Sequence, residues 1–187
     1  CNVYVGSTRA GERVMVYLRK LYTGLKLQIN EAKSAVASAF GRKFLGYELW
    51  VAKGKEVRCK VADKSLQNFK ARIRQLTRRL GGRSMAQVVD KLRPYLLGWK
   101  AYFGLAQTPR VWRGLDEWLR HRMRAIQLKH WKRPSTIYRE LKALGACEDV
   151  ARQVAGNCHC WWRNSDRLLK TSLTIAYFDQ LGVPRLS

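Results

Sequence analysis

Acidic residues are scarce in this chain: 13 Asp and Glu stand against 37 Lys and Arg, for a formal net charge of +24 over 187 residues. Carboxylate-driven chemistry therefore has little material to work with. No Asp or Glu pair is spaced for general acid–base work. No glycine-rich phosphate loop and no Ser/His/Asp set can be assembled from the order of residues. A hydrolase is a poor fit. Long apolar runs are missing too, since nothing approaches the ~18 uninterrupted apolar residues of a membrane span. No signal-peptide pattern opens the chain. Cysteine is limited to Cys1, Cys59, Cys147, Cys158 and Cys160. Cys158, His159 and Cys160 invite a zinc site with Cys147, but C-x-C without a second C-x-x-C or a His pair is weak, and no metal ligands are assigned. Reduced cysteines of a cytoplasmic protein fit better.

What is present is basic and foldable. Aromatic residues make up 11% of the chain, with seven Trp, which is too many for a disordered basic tail. The charge therefore sits on a folded surface, where self-repulsion at this level calls for a polyanionic partner. It is concentrated: from Lys64 to Arg139 there are 19 Lys and Arg and three acids, Asp90, Asp116 and Glu117. Each phosphate neutralised by such a surface releases counterions, so it binds nucleic acid strongly and with steep salt dependence. Charge alone does not separate RNA from DNA.

The pattern of apolar residues predicts an α+β chain with a change near residue 62. In residues 1–62, "CNVYVG", "LKLQIN", "SAVASAF" and "KFLGYELWV" read as strands, with a helix over roughly Ala10 to Tyr22. A hairpin turn around Lys53 and Gly54 returns through "VRCKVA". The opening on strand-like "CNVYVG" suggests the C-terminal part of a longer protein. Residues 63–187 read as mainly helical. Leu66, Phe69, Ile73, Leu76 and Leu80 form a stripe on a first helix, which "GG" at Gly81 and Gly82 ends. Ser84 and Gln87 make a capping box for a second helix, which Pro94 kinks or divides. Thr108 and Pro109 open a long helix to about Trp131. Shorter helices follow near 135–144 and 148–155, with a last one in "SLTIAYFDQLG". Trp99, Tyr102, Trp112 and Trp118 could stack on bases, but at helical spacing they read as core. His121 and His130 read as RNA-facing or structural.

The order of motifs carries a resemblance. "GLKLQINEAKS" followed by "RKFLGYEL" resembles the end of a reverse transcriptase palm. "SLQNFKARIRQLTRR", "VVDKLRPYLLGWKAYFG" and "TPRVWRGLDEWLRHRMRAIQLKHWKRP" resemble the thumb and maturase-specific domain of group II intron-encoded proteins, and "IAYFDQLGVPRLS" is similar to that family's usual end. The resemblance implies a small partial palm sheet with a helix, residues 1–62, followed by a helical thumb and maturase domain, residues 63–187. It places the metal-binding palm aspartates upstream of Cys1, so magnesium is expected only for the full-length polymerase, with no cofactor in this chain. Lys33 would lie near the incoming nucleotide's phosphates and assist pyrophosphate departure, although a plain turn lysine is an equal reading. Phe44, Leu45 and Gly46 match the loop that seats the primer's 3′ end. Lys70, Arg72, Arg74, Arg78 and Arg79 would track template and primer without reading sequence. Arg113, Arg120, Arg122, Arg124, Lys129, Lys132 and Arg133 would hold intron RNA during splicing. Implied partners are the intron RNA, the template–primer duplex and the missing fingers and palm, in a bacterial or organellar cytoplasm, with no membrane. Two other readings stay open: a reverse transcriptase recruited to defence or a CRISPR-linked system, and a basic module that scaffolds RNA without polymerase ancestry.

Overall fold

The computed structural model describes residues 2–78, 82–166 and 168–187. Ser7 starts the first helix, α1 (Thr8–Gly24), by accepting a hydrogen bond from the Ala10 amide at 3.2 Å. A three-residue 3-10 turn, Glu31–Lys33, follows and is tied back to α1 by the Arg19–Glu31 ion pair at 2.8 Å. A small antiparallel sheet comes next, of β1 (Lys43–Phe44), β2 (Tyr47–Val51) and β3 (Val57–Val61), in the order β1-β2-β3. Leu49 faces Cys59 at the centre of the β2–β3 hairpin.

Three segments with strand-like patterns build no strand. Residues 2–5, 25–30 and 35–39 carry no ladder, and Phe40 makes a lone parallel bridge to Leu49. Alternation prepares a segment to pair, but a strand persists only where a neighbour completes its hydrogen bonds and covers its apolar face. Among the described residues these segments have no such neighbour. Val3, Tyr4, Leu25 and Leu27 are accordingly exposed, and Gly11 is the one buried residue between positions 2 and 51.

The remainder is helical: α2 (Asp63–Leu76), α3 (Met85–Tyr102), α4 (Pro109–Trp131), α5 (Pro134–Ala143), α6 (Glu148–Gly156), α7 (Trp161–Asn164) and α8 (Ile175–Gln180). The expected stripe on α2 is buried at Phe69 and Ile73 and half-buried at Leu66 and Leu76, while Leu80 and Gly81 lie outside the described residues. The Ser84–Gln87 capping box forms in both directions. Pro94 neither ends nor divides α3, which runs through it. Pro94 and Asp90 are both exposed, so the hydrogen bond that proline cannot make is missing on the solvent side of the helix. Pro109 occupies the first turn of α4 as expected, but Thr108 makes no side-chain cap and its Oγ1 is buried without a partner. Pro134 starts α5. The short α7 has no counterpart in the sequence reading, since four residues are too few to show a period.

One core unites these helices. Phe69, Leu92, Leu96, Trp99, Trp112, Leu119, Met123, Ile126 and Phe178 are buried together. The rings of Phe69 and Trp99 lie 4.3 Å apart, and Trp99 meets Trp112 edge-on at 5.2 Å. The hairpin shares this core through Val61 and Tyr47. The Gln107 amide donates to the Cys59 carbonyl at 2.8 Å, and the Tyr47 hydroxyl donates to the Tyr102 carbonyl. So composition changes at residue 62, while packing continues across it. Among the described residues, no helix is long and apolar enough to cross a membrane.

Candidate nucleic-acid interface

The expected RNA-binding residues divide by what lies over them. On α2, Arg72 and Arg74 are exposed and Lys70 is half-buried, and Arg78 is exposed just beyond the helix. Arg79 lies outside the described residues. Arg113 is exposed on the first turns of α4, and Lys132 and Arg133 are exposed between α4 and α5. Lys129 is half-buried with its ammonium 4.8 Å from the centre of the Trp161 ring.

Arg122 links α4 to α2. Its Nε donates to Thr77 Oγ1 at 2.9 Å, and Thr77 Oγ1 itself donates to the Ile73 carbonyl at 2.5 Å. Thr77 is fully buried. Arg122 also lies over the Trp118 ring at 5.4 Å, and Arg74 reaches the same ring from α2 at 5.6 Å. Two guanidiniums from separate helices thus converge on one half-buried indole, each held by the ring's quadrupole. That junction fixes α2 against α4.

Arg120 and Arg124 do not belong to this surface. They are 2% and 4% exposed. Arg120 Nη1 donates to Asp116 Oδ1 at 3.0 Å and Nη2 to Asp179 Oδ1 at 3.3 Å, joining α4 to α8. Arg124 Nε donates to the Leu173 carbonyl at 2.8 Å, and its guanidinium lies 5.9 Å from the Phe178 ring. Both side chains are covered by the last fifteen residues, which close over α4. Of the residues expected to hold intron RNA, these two therefore lie beneath the C-terminal segment and not on the outer face.

The last residues are themselves locked down. The Asp116 carboxylate accepts from the Leu186 amide at 3.0 Å and from the Ser187 amide at 2.9 Å. Arg185 pairs with Asp179 through Nε at 2.9 Å, and this pairing chiefly holds the Asp179 carboxyl below the usual range, with Arg120 adding to it. Asp116, Asp179 and Thr77 were not singled out from the sequence. The Asp116–Arg120 spacing of four was the one available signal.

At the other end of the chain, Phe44 and Leu45 are exposed at the tip of the β1–β2 hairpin, and Gly46 has φ +81°. The Gly46 carbonyl accepts from the Ala62 amide at 2.8 Å and from Ser65 Oγ at 3.2 Å, and the Tyr102 hydroxyl donates to the Leu45 carbonyl at 2.9 Å. The tip is thus anchored to α2 and α3. Lys33 is exposed in the 3-10 turn, where its amide donates to Asn30 Oδ1 at 3.1 Å.

Residues 66–145, from within α2 to just past α5, match the group II intron maturase-specific domain. No curated protein matches the chain. The match supports a role in group II intron splicing and association with intron RNA. Within the matched segment lie the Arg74–Trp118–Arg122 junction, the exposed Arg113 and the buried Arg120 and Arg124. Among the described residues no group of three or more His, Cys, Asp or Glu comes together to hold a metal ion.

Proposed function

We propose that this chain is the RNA-holding C-terminal part of a group II intron reverse transcriptase and maturase. The observation that carries the reading is the junction at Trp118. There, α2 and α4 bring Arg74 and Arg122 to one indole, in a segment with almost no acid to oppose them. The exposed Arg72, Arg74 and Arg78, and Arg113 on α4, offer phosphate contacts that ignore sequence, which suits a partner recognised by its fold. A maturase in this sense does no splicing chemistry. It lowers the free energy of the folded intron by binding that fold more tightly than its alternatives.

The same reading gives the N-terminal third a task. The exposed tip Phe44–Leu45, anchored to α2 and α3, is suited to hold a primer end against the helices that would follow the duplex. Lys33 takes its expected place near the incoming phosphates in this reading. The uncovered apolar residues Val3, Tyr4, Val16, Tyr17, Leu25 and Leu27 fit a covering layer supplied by the rest of a polymerase palm and fingers. Magnesium-dependent nucleotide addition would need carboxylates from that covering part. The chain alone is therefore expected to extend no primer in magnesium, and extension by it would contradict this division of labour.

Photo-crosslinking the chain to a structured group II intron RNA and mapping the peptides tests the main claim. Crosslinks are expected in 70–78 and around 113–118. Crosslinks confined to α5, α6 and the C-terminal residues would overturn it.

A further inference from the structure

A cleft of about 600 Å³ lies between α4 and the C-terminal segment, with Arg113 and Trp118 of the basic face in its lining. Arg124 lines it although it is only 4% exposed. Among the described residues the Leu173 carbonyl is its one hydrogen-bond acceptor, and no carboxylate pairs with it. Arg120 lies one helical turn away in the same lining, and its Nε is buried without a partner. Burial first, and then the neighbouring Arg120 cation, disfavour the charge on Arg124, with Asp166 alone opposing them. A guanidinium so placed is short of negative charge, and a buried cation in that condition is costly until an anion joins it.

The other cations of the cleft are already matched. Arg120 is held by Asp116 and Asp179, Arg185 by Asp179, and Lys170 approaches Asp166 at 3.7 Å. Arg113, exposed at the rim, has no ion pair among the described residues. The unmatched cations are thus one arginine at the floor and one at the mouth, with one carboxylate of the lining, Glu117, also exposed and without an ion pair among the described residues. Trp118 and Ile175 supply flat and aliphatic wall between them.

We propose that this cleft is a phosphate site that takes a nucleoside-borne phosphate group, with Arg124 as its buried anchor and Arg113 as its outer contact. Arginine suits the task because its planar fork gives two parallel donors to phosphate oxygens. The walls accept the attached nucleoside. The inference shares Arg113 and Trp118 with the proposed RNA-binding face, and small ligands test it apart from RNA binding.

The first probe is inorganic phosphate, compared with chloride at equal ionic strength. Phosphate is expected to raise the Tm of the chain and to broaden its own 31P resonance. Arg113→Ala, at an exposed position, is expected to keep the fold and weaken phosphate binding roughly tenfold, with partial rescue by Arg113→Lys. Arg124→Lys is expected to weaken it further, and Arg139→Ala, whose side chain pairs with Glu140, to leave it unchanged. Adenosine monophosphate and the dinucleotide ApA, followed by Trp fluorescence, separate a terminal monoester from an internal diester, and binding of either supports the site. Equal Tm in phosphate and chloride, unchanged binding by Arg113→Ala, or phosphate binding with neither nucleotide would overturn it.

Discussion

Arg74 and Arg120 belong to the same basic segment and have opposite environments. Arg120 is closed in with Asp116 and Asp179, so removing it strands a buried carboxylate. Arg120→Ala is expected to destabilise the fold by about 3–5 kcal/mol in urea unfolding. Arg74→Ala should change stability by about 1 kcal/mol or less, because an exposed cation–π pair is worth no more. Equal effects would contradict the division drawn between them. Asp179 adds a pH dependence. Its carboxyl is held below the ordinary range by Arg185 and then Arg120. The stabilisation it gives is therefore complete above that range and is lost as pH falls through the lowered folded value. Asp179→Asn should be less stable than the parent at neutral pH, with the gap narrowing in acid. A gap that stays constant down to strongly acidic pH would refute the linkage. Counting charges along the chain was blind to this difference. A helix wheel does better for Arg122, which follows Leu115 by seven residues and so projects from the apolar side. It fails for Arg124, which lies on the wheel's polar side and is buried because Leu173 and Phe178 arrive from about fifty residues downstream.

At the level of elements, legibility followed how local the stabilising interactions are. The hairpin, the capping box and the long α4 are built by neighbours in sequence, and residue order showed them. Three expected strands failed because a strand needs a partner that the segment cannot name. The β1–β2 turn is an instructive case between these. Its glycine was visible, but its reason was not: with φ +81°, a Cβ on Gly46 would sit 3.0 Å from the Phe103 ring and 3.1 Å from Ser65 Oγ. Gly46→Ala should therefore combine backbone strain with overpacking and cost about 2 kcal/mol. Ser84→Ala, which removes one arm of the capping box, should cost about 1 kcal/mol. Thermal unfolding of both variants checks the order, and a Gly46→Ala protein as stable as its parent would show that the hairpin tip is not packed as described.

For the molecule as a whole, the chain combines a well-buried helical body with an N-terminal layer that leaves its apolar residues uncovered. The first property gives the basic face a fixed shape, and the second leaves a surface that covering protein would complete. The candidate site was legible as a basic segment and as a family resemblance. It was not legible as a surface, because which cations face outward depends on long-range packing by the C-terminal residues. The central claim is that Arg72, Arg74, Arg78 and Arg113 hold structured RNA through its phosphates. Its most direct test is the affinity for a group II intron RNA across a salt series, for the parent chain and for the four-alanine variant. The account predicts a log–log plot that falls steeply for the parent and less steeply for the variant, by roughly 0.7–0.9 in slope for each phosphate that the variant leaves unneutralised. A variant that binds with the parent's affinity and salt slope would contradict it.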